Sequence, residues 1–310
     1  MMKFAFLFPG QGSQSIGMMQ GLDMLPIVRD TFVEASAILE QDLWALVTEG
    51  PAEQLNLTVN TQPAMLVAGV ATYRAWLAQG GRIPDVMAGH SLGEYSALVA
   101  AGALTLKDAL PLVRLRATAM QSAVAEGVGA MAAILGLDDA TVRAVCAEAA
   151  QGEVLEAVNF NSPGQVVIAG HKAAVERGML LAKEKGAKRA LPLPVSVPSH
   201  CALMRPAAEQ LAAALANIAI QVPQVPVLHN ADVAAYSNPD QIRDALARQL
   251  YSPVRWVETV QTMASDGVTV AAECGPGKVL AGLTKRIDER VAATALVSVD
   301  AINEFKTLIG

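Results

Sequence analysis

The 310-residue sequence predicts an α/β fold: a mostly parallel sheet with helices on both faces, interrupted by an inserted β-α-β-β-α-β unit. Three observations lead there. Short apolar runs at residues 4–8, 86–88, 225–228, 268–272 and 295–299 alternate with helical stretches such as 94–101 and 240–250, the rhythm of parallel strands joined by helical crossovers. The first two runs end in glycine-rich turns, Pro9-Gly10-Gln11-Gly12-Ser13 and Gly89-His90-Ser91-Leu92-Gly93. From about residue 127 to 194 the rhythm changes to the order of a ferredoxin-like unit.

The run at 4–8 is apolar throughout and reads as a buried strand. The run at 86–88 passes through its turn into the helix at 94–101, which Gly102 closes. Inside the insertion a strand at 130–135 is followed by a helix at 139–150 and a strand at 154–159. A turn at Ser162-Pro163-Gly164, a strand at 166–169, a helix at 172–185 and a strand at 188–193 complete it. Residues 1–126 and 195–310 are therefore expected to form a large α/β subdomain, and 127–194 a small ferredoxin-like subdomain.

Composition narrows the function classes. With 53% hydrophobic and 17% charged residues the chain buries a proper core and is not disordered. The longest stretches without charge, 210–231 and 54–73, are broken by Asn, Gln and Pro, so no transmembrane segment is expected. Met1-Met2-Lys3 runs directly into the strand at 4–8, which is too short for a signal h-region, and a cytoplasmic location is expected. Cys146, Cys201 and Cys274 have no CxxC spacing, so neither a disulfide framework nor a zinc site is expected; no cofactor is expected either. A net charge of -6 argues against non-specific nucleic-acid binding. An anionic partner must meet a local basic patch; Lys183, Lys185, Lys188 and Arg189 form one candidate and Lys285-Arg286 another, each with a solvated face as the plain alternative.

Gly89-His90-Ser91-Leu92-Gly93 fits GxSxG between a strand and a helix, where a tight turn exposes a serine oxygen and the helix N-terminus offers N–H groups to an oxyanion. A serine needs a base. Of the four histidines, His90 adjoins the serine but points elsewhere and packs or hydrogen-bonds nearby, while His171 and His229 lie near a helix start and a strand end. His200, in Val195-Ser196-Val197-Pro198-Ser199-His200-Cys201, sits where the chain returns from the insertion, a natural cleft, and is the favoured base. Asp108, Asp138 and Asp139 fall at helix starts and read as caps, which leaves a Ser–His pair oriented by something other than a carboxylate. Arg116 lies on the apolar side of its helix with Val113 and Met120, whereas Arg114 is opposite. Such an arginine is either a structural pair or a bidentate clamp for a substrate carboxylate. Pro111 is expected to kink that helix or delay its start.

Six stretches, in order along the chain from Phe4 to about Arg286, resemble one family: Phe8-Pro9-Gly10-Gln11-Gly12-Ser13-Gln14, Gly89-His90-Ser91-Leu92-Gly93-Glu94-Tyr95, Asn159-Phe160-Asn161-Ser162-Pro163-Gly164-Gln165, Pro198-Ser199-His200, Gln249-Leu250 with Pro253-Val254-Arg255-Trp256, and Gly275-Pro276-Gly277. The family is the malonyl-CoA:acyl-carrier-protein transacylases of bacterial fatty-acid synthesis. The resemblance implies a hydrolase-like core, Ser91 as nucleophile, His200 as its base, and Gln249 orienting the histidine through its backbone carbonyl. It implies backbone N–H groups of Gln11 and Leu92 as the oxyanion hole, and Arg116, Asn159, Asn161 and His90 on the substrate side. For the two asparagines an Asx-turn before Ser162-Pro163 is the alternative. Malonyl-CoA and acyl carrier protein are the implied partners, met in two half-reactions. Ala117, where family members often carry glycine, and Pro111 are the departures. A serine hydrolase, a malonyl transferase subunit of another pathway, and a non-catalytic carrier-binding subunit are the alternatives.

Overall fold

Residues 2–195 and 197–310 are described by a computed structural model; Met1 and Ser196, both assigned to the large subdomain from sequence, lie outside the described residues. The first half of the larger layer comprises β1 (Lys3–Phe8), α1 (Pro26–Leu39), α2 (Leu43–Thr48), α3 (Ala52–Leu55), α4 (Thr58–Ala78), β2 (Val86–Gly89), α5 (Gly93–Ala100) and α6 (Leu106–Ser122). The chain then builds β3 (Gly129–Leu135), α7 (Asp139–Ala150), β4 (Leu155–Ser162), β5 (Gln165–His171), α8 (Lys172–Glu184) and β6 (Arg189–Pro192). It returns through α9 (Arg205–Leu215), β7 (Val227–Leu228), α10 (Pro239–Gln249), α11 (Trp256–Ser265), β8 (Val268–Glu273), α12 (Val279–Ile287), β9 (Ala292–Ala295) and α13 (Val299–Ile309).

The fold is thus mixed α/β with a parallel sheet covered by helices. Its strand order is β7-β2-β1-β8-β9, and every pairing in it is parallel. β1 lies at the centre, which explains its unbroken apolar sequence, because both of its faces are covered. Phe4, Phe6 and Phe8 pack on one side against α4 and α13, while Ala5 and Leu7 meet Trp256, Val260 and Met263 on the other. The uncharged stretch around 54–73 becomes α4, a helix buried along most of its length rather than a membrane span. Among the described residues no helix is long and apolar enough to cross a membrane.

The second sheet, β4-β5-β3-β6, is antiparallel throughout, with α7 and α8 packed on it over a separate core that includes Ile134, Val142, Phe160 and Ile168. One edge reaches the larger layer: the Phe160 N–H donates to the Val254 carbonyl at 3.0 Å and the Val254 N–H to the Val158 carbonyl at 2.8 Å. This ladder carries residues 159–161 to the C-terminal edge of the parallel sheet, where ligand sites of such sheets lie.

Two expectations need correction. The last strand is Ala292–Ala295, not 295–299, because the Ser298 side chain accepts the Ala301 N–H and starts α13. Pro111 neither delays nor splits α6, which begins after Thr105, a cap whose oxygen accepts the Asp108 N–H. The proline lies on the exposed side of α6. Phe305 of α13 packs against Phe4, Phe6 and Trp76 with ring centroids 5.8, 6.3 and 5.6 Å away. Phe305→Ala is expected to lower the unfolding free energy by about 3–5 kcal/mol, measured by urea denaturation.

Candidate active site

Ser91 occupies the turn between β2 and α5 with φ 52°, a left-handed backbone that a serine adopts only when its surroundings impose it. The glycines of the motif are needed for close approach: a Cβ on Gly89 would lie 1.8 Å from the Gly93 carbonyl carbon, and one on Gly93 2.0 Å from the Phe8 carbonyl oxygen. Gly10 is constrained likewise, its hypothetical Cβ 2.5 Å from the His90 carbonyl oxygen, so the loop after β1 rests directly on the serine turn.

The Ser91 Oγ lies 2.8 Å from His200 Nε2, and His200 Nδ1 lies 2.8 Å from the Gln249 backbone carbonyl. A carbonyl only accepts, so the proton sits on Nδ1 and the Nε2 lone pair faces the serine hydroxyl. Burial, and next the Arg116 charge, push the His200 pKa down to about 3, which keeps the imidazole neutral and ready to take a proton. Among the described residues no carboxylate is hydrogen-bonded to this pair. Asp138 caps α7 as expected, whereas Asp108 and Asp139 lie inside the first turns of α6 and α7, and the cap of α6 is Thr105.

Arg116 is fully buried. Its Nη1 donates to Gln62 Oε1 at 2.7 Å, and its Nη2 to Gln249 Oε1 at 3.0 Å and to Ser91 Oγ at 3.3 Å. The guanidinium also lies over the Tyr95 ring, 5.5 Å from its centroid, while Nε has no partner. Burial lowers the Arg116 pKa, but an arginine stays protonated, so a whole positive charge sits at the nucleophile with only neutral oxygens bound to it. Arg114, across the helix, donates to the Leu39 carbonyl and to Gln41.

Around these groups lies a pocket of about 210 Å³, lined by Gln11, Met120, Met131, Val197, Ser199 and Asn161 among others. Among the described residues the backbone N–H groups of Leu92 and Gln11 have no hydrogen-bond partner. Leu92 directly precedes α5, so its N–H belongs to the donors that a helix leaves unpaired.

The sequence agrees with known proteins. The acyl transferase domain family matches residues 5–299. The malonyl CoA-acyl carrier protein transacylase of Escherichia coli strain K12 is 61% identical over 297 residues, 96% of each chain. The chain belongs to the malonyl CoA-acyl carrier protein transacylase family. The crystal structure of an acyl-carrier-protein S-malonyltransferase from Burkholderia pseudomallei, 59% identical, superposes with a TM-score of 0.97 over 99% of this chain and 100% of that one. A malonyl-transacylase in complex with its type II PKS acyl-carrier protein, 54% identical, superposes with a TM-score of 0.97 over 99% of each chain.

In this transacylase-family chain the remaining sequence candidates divide. The His90 Nε2 lies 2.8 Å from Asn161 Oδ1, and its ring sits 5.5 Å from that of Trp256, which ties the serine turn to β4. Asn161 therefore reaches across the cleft instead of closing an Asx-turn. Asn159 lines the pocket, and its backbone bridges to Val254. His171 Nδ1 accepts the Val154 N–H, away from the site, and His229 is buried against Glu94 with Nδ1 2.7 Å from Oε1. Sequence reasoning missed Gln62, Glu94 and Asn230. None of the three left a signal: Gln62 follows Asn60 and Thr61 in a stretch already mixed in polarity, and Glu94 and Asn230 looked like ordinary residues beside a helix start and a strand end.

All three cysteines are buried, and burial pushes the thiols of Cys146 and Cys201 up to about 12. Cys201, next to His200, is therefore no rival to Ser91. Alkylation by iodoacetamide at pH 8 is expected to be slow at every cysteine of the native protein and fast after denaturation; rapid native labelling of Cys201, read by peptide mass spectrometry, contradicts this.

Proposed function

We propose that this chain moves a malonyl group from malonyl-CoA to the phosphopantetheine thiol of acyl carrier protein through an ester on Ser91. His200 takes the hydroxyl proton as Oγ attacks the thioester carbonyl, and the Leu92 and Gln11 N–H groups receive the oxyanion. The C–S bond breaks, and the proton on His200 goes to the departing CoA sulfur. The carrier thiol then gives its proton to His200 and attacks the ester carbonyl; the C–O bond to Ser91 breaks and His200 passes the proton to Oγ, which restores Ser91 and makes the kinetics ping-pong. The malonyl-CoA thioester, the carrier thiol and the chain's own residues account for every step without a further cofactor.

The observation that carries this reading is Arg116: a buried cation hydrogen-bonded to no acid among the described residues, 3.3 Å from the Ser91 Oγ, suits an acyl group that ends in a carboxylate. A general serine hydrolase has no use for it. The relatives' names point the same way, and the complex with a type II PKS carrier favours, as a second reading, malonyl transfer in another pathway. The same proposal treats residues 1–126 with 195–310 as a hydrolase-like catalytic subdomain and 127–194 as an inserted ferredoxin-like subdomain, supported by the strand order β4-β5-β3-β6. The exposed Lys188, Arg189, Lys285 and Arg286 are its candidates for meeting an acidic carrier.

Intact-mass spectrometry after brief mixing with malonyl-CoA, then with phosphopantetheinylated carrier, tests the transfer. A malonyl adduct is expected on the wild type and not on Ser91→Ala, and it should move to the carrier; decay to free malonate despite the carrier would favour a hydrolase. Arg116→Ala is expected to lower kcat/KM for malonyl-CoA by on the order of 2–5 kcal/mol, because the substrate carboxylate loses its charged partner. The variant should also alter the pH profile of acetyl transfer. His200 must be neutral to act, and activity is lost as pH falls through its pKa, which the Arg116 charge helps to hold down. Removing the charge raises that pKa, so the acid limb should move to higher pH than in the wild type.

A further inference from the structure

The serine turn is held by a residue that the transfer chemistry does not use. β7 pairs with β2 through Val227 and Leu228, opposite Met87 and Ala88, and Asn230 follows two residues later. Its side chain is buried, and its carboxamide bridges two main-chain groups of the turn: Oδ1 accepts the Ser91 N–H at 2.7 Å, and Nδ2 donates to the Gly89 carbonyl at 2.6 Å. The amide thus replaces the strand partner that β2 loses where the backbone turns away from the sheet.

Asn230 is itself fixed. Its N–H donates to Glu94 Oε2 at 2.8 Å, and its carbonyl accepts the Arg255 N–H at 3.2 Å. Glu94, fully buried on the first turn of α5, also accepts from Gln249 Nε2 at 3.0 Å and pairs with His229. Gln249 Nε2 reaches the Ser91 carbonyl at 2.9 Å as well, so both peptide groups flanking the strained residue are clamped by amide side chains.

We propose that Asn230 is a positioning residue for Ser91: its carboxamide holds the left-handed backbone that aims Oγ at His200, and Glu94 holds Asn230. One consequence concerns the oxyanion hole. The Ser91 N–H is occupied by Asn230, which leaves the Leu92 and Gln11 N–H groups for the substrate oxygen. The inference rests on Ser91 being the acylated residue.

The test compares Asn230→Ala and Asn230→Asp with the wild type. It follows Ser91 acylation by malonyl-CoA and Ser91 phosphonylation by a small fluorophosphonate that makes no use of Arg116, with thermal melting to confirm folding. Asn230→Ala is expected to slow both reactions by about 10- to 100-fold with KM for malonyl-CoA nearly unchanged, because the nucleophile is displaced while the acyl pocket is intact. Asn230→Asp keeps the acceptor for Ser91 but sets an oxygen against the Gly89 carbonyl, a repulsion relieved when the new carboxyl is protonated. The groups facing it are Glu94 on α5, His229 beside it, Arg255 at the start of α11, and, through Gln249, Arg116 on α6 with His200. Its activity should therefore approach wild type at acid pH and fall as pH rises, a profile that neither the wild type nor the alanine variant has. Acylation by Asn230→Ala within about twofold of wild type, or an aspartate variant with the wild-type profile, overturns the proposal. If the alanine variant does not fold, the aspartate profile decides. A wild type that is phosphonylated at Ser91 but takes no malonyl group refutes the transfer reading, and the phosphonylation rates still test Asn230.

Discussion

Arg116 carries a full positive charge into a place closed to water, and most of the polar architecture around it answers that charge. Two carboxamide oxygens, from Gln62 and Gln249, bind the guanidinium without neutralising it. A carboxylate in contact would have made a closed ion pair. Neutral acceptors satisfy the terminal N–H groups, and the Glu94 charge, which acts on Arg116 without touching it, offsets the field only in part, so attraction remains for an anion that enters the pocket. The same field lowers the basicity of His200. An acyl carboxylate bound to Arg116 would offset it, so the base strengthens when the matching substrate is present.

Gln249 is where these demands converge. Its main-chain carbonyl orients His200, its side-chain oxygen accepts from Arg116, and its side-chain nitrogen donates to the Ser91 carbonyl and to Glu94. The proposed base, clamp and nucleophile therefore share one residue at the end of α10. The nearby carboxylate, Glu94, is kept one step behind, holding the groups that hold the serine. This arrangement explains how a Ser–His pair manages without the acid of a triad.

Much of the scaffold was legible in the sequence, and the reasons are local. The apolar run at β1, the glycines at 89 and 93, the Asp138 cap and the order of elements from β3 to β6 each follow from periodicity or turn chemistry within a few residues. The same local reasoning erred at 295–299, where an apolar run continued past the strand and the cap at Ser298 decided otherwise. It also allowed Pro111 to delay α6, whose start is set instead by the cap at Thr105.

Ser91, His200 and Arg116, which the structure brings together, could be picked out as candidates because each stands out beside its neighbours: a serine between glycines, a histidine where the chain re-enters the larger layer, an arginine in an apolar stripe. The Gln62, Glu94 and Asn230 side chains do not stand out, and their roles come only from contacts that bridge 54, 155 and 139 residues of sequence to Arg116, Gln249 and Ser91. The sequence by itself determined the elements, the turn and the chemistry available at it, since helix period, strand alternation and glycine sterics act over short distances. The tertiary structure alone decided which buried amide meets which backbone group, because those partners are brought together by the packing of apolar faces, and a hydrogen bond leaves no trace in the local pattern of either residue.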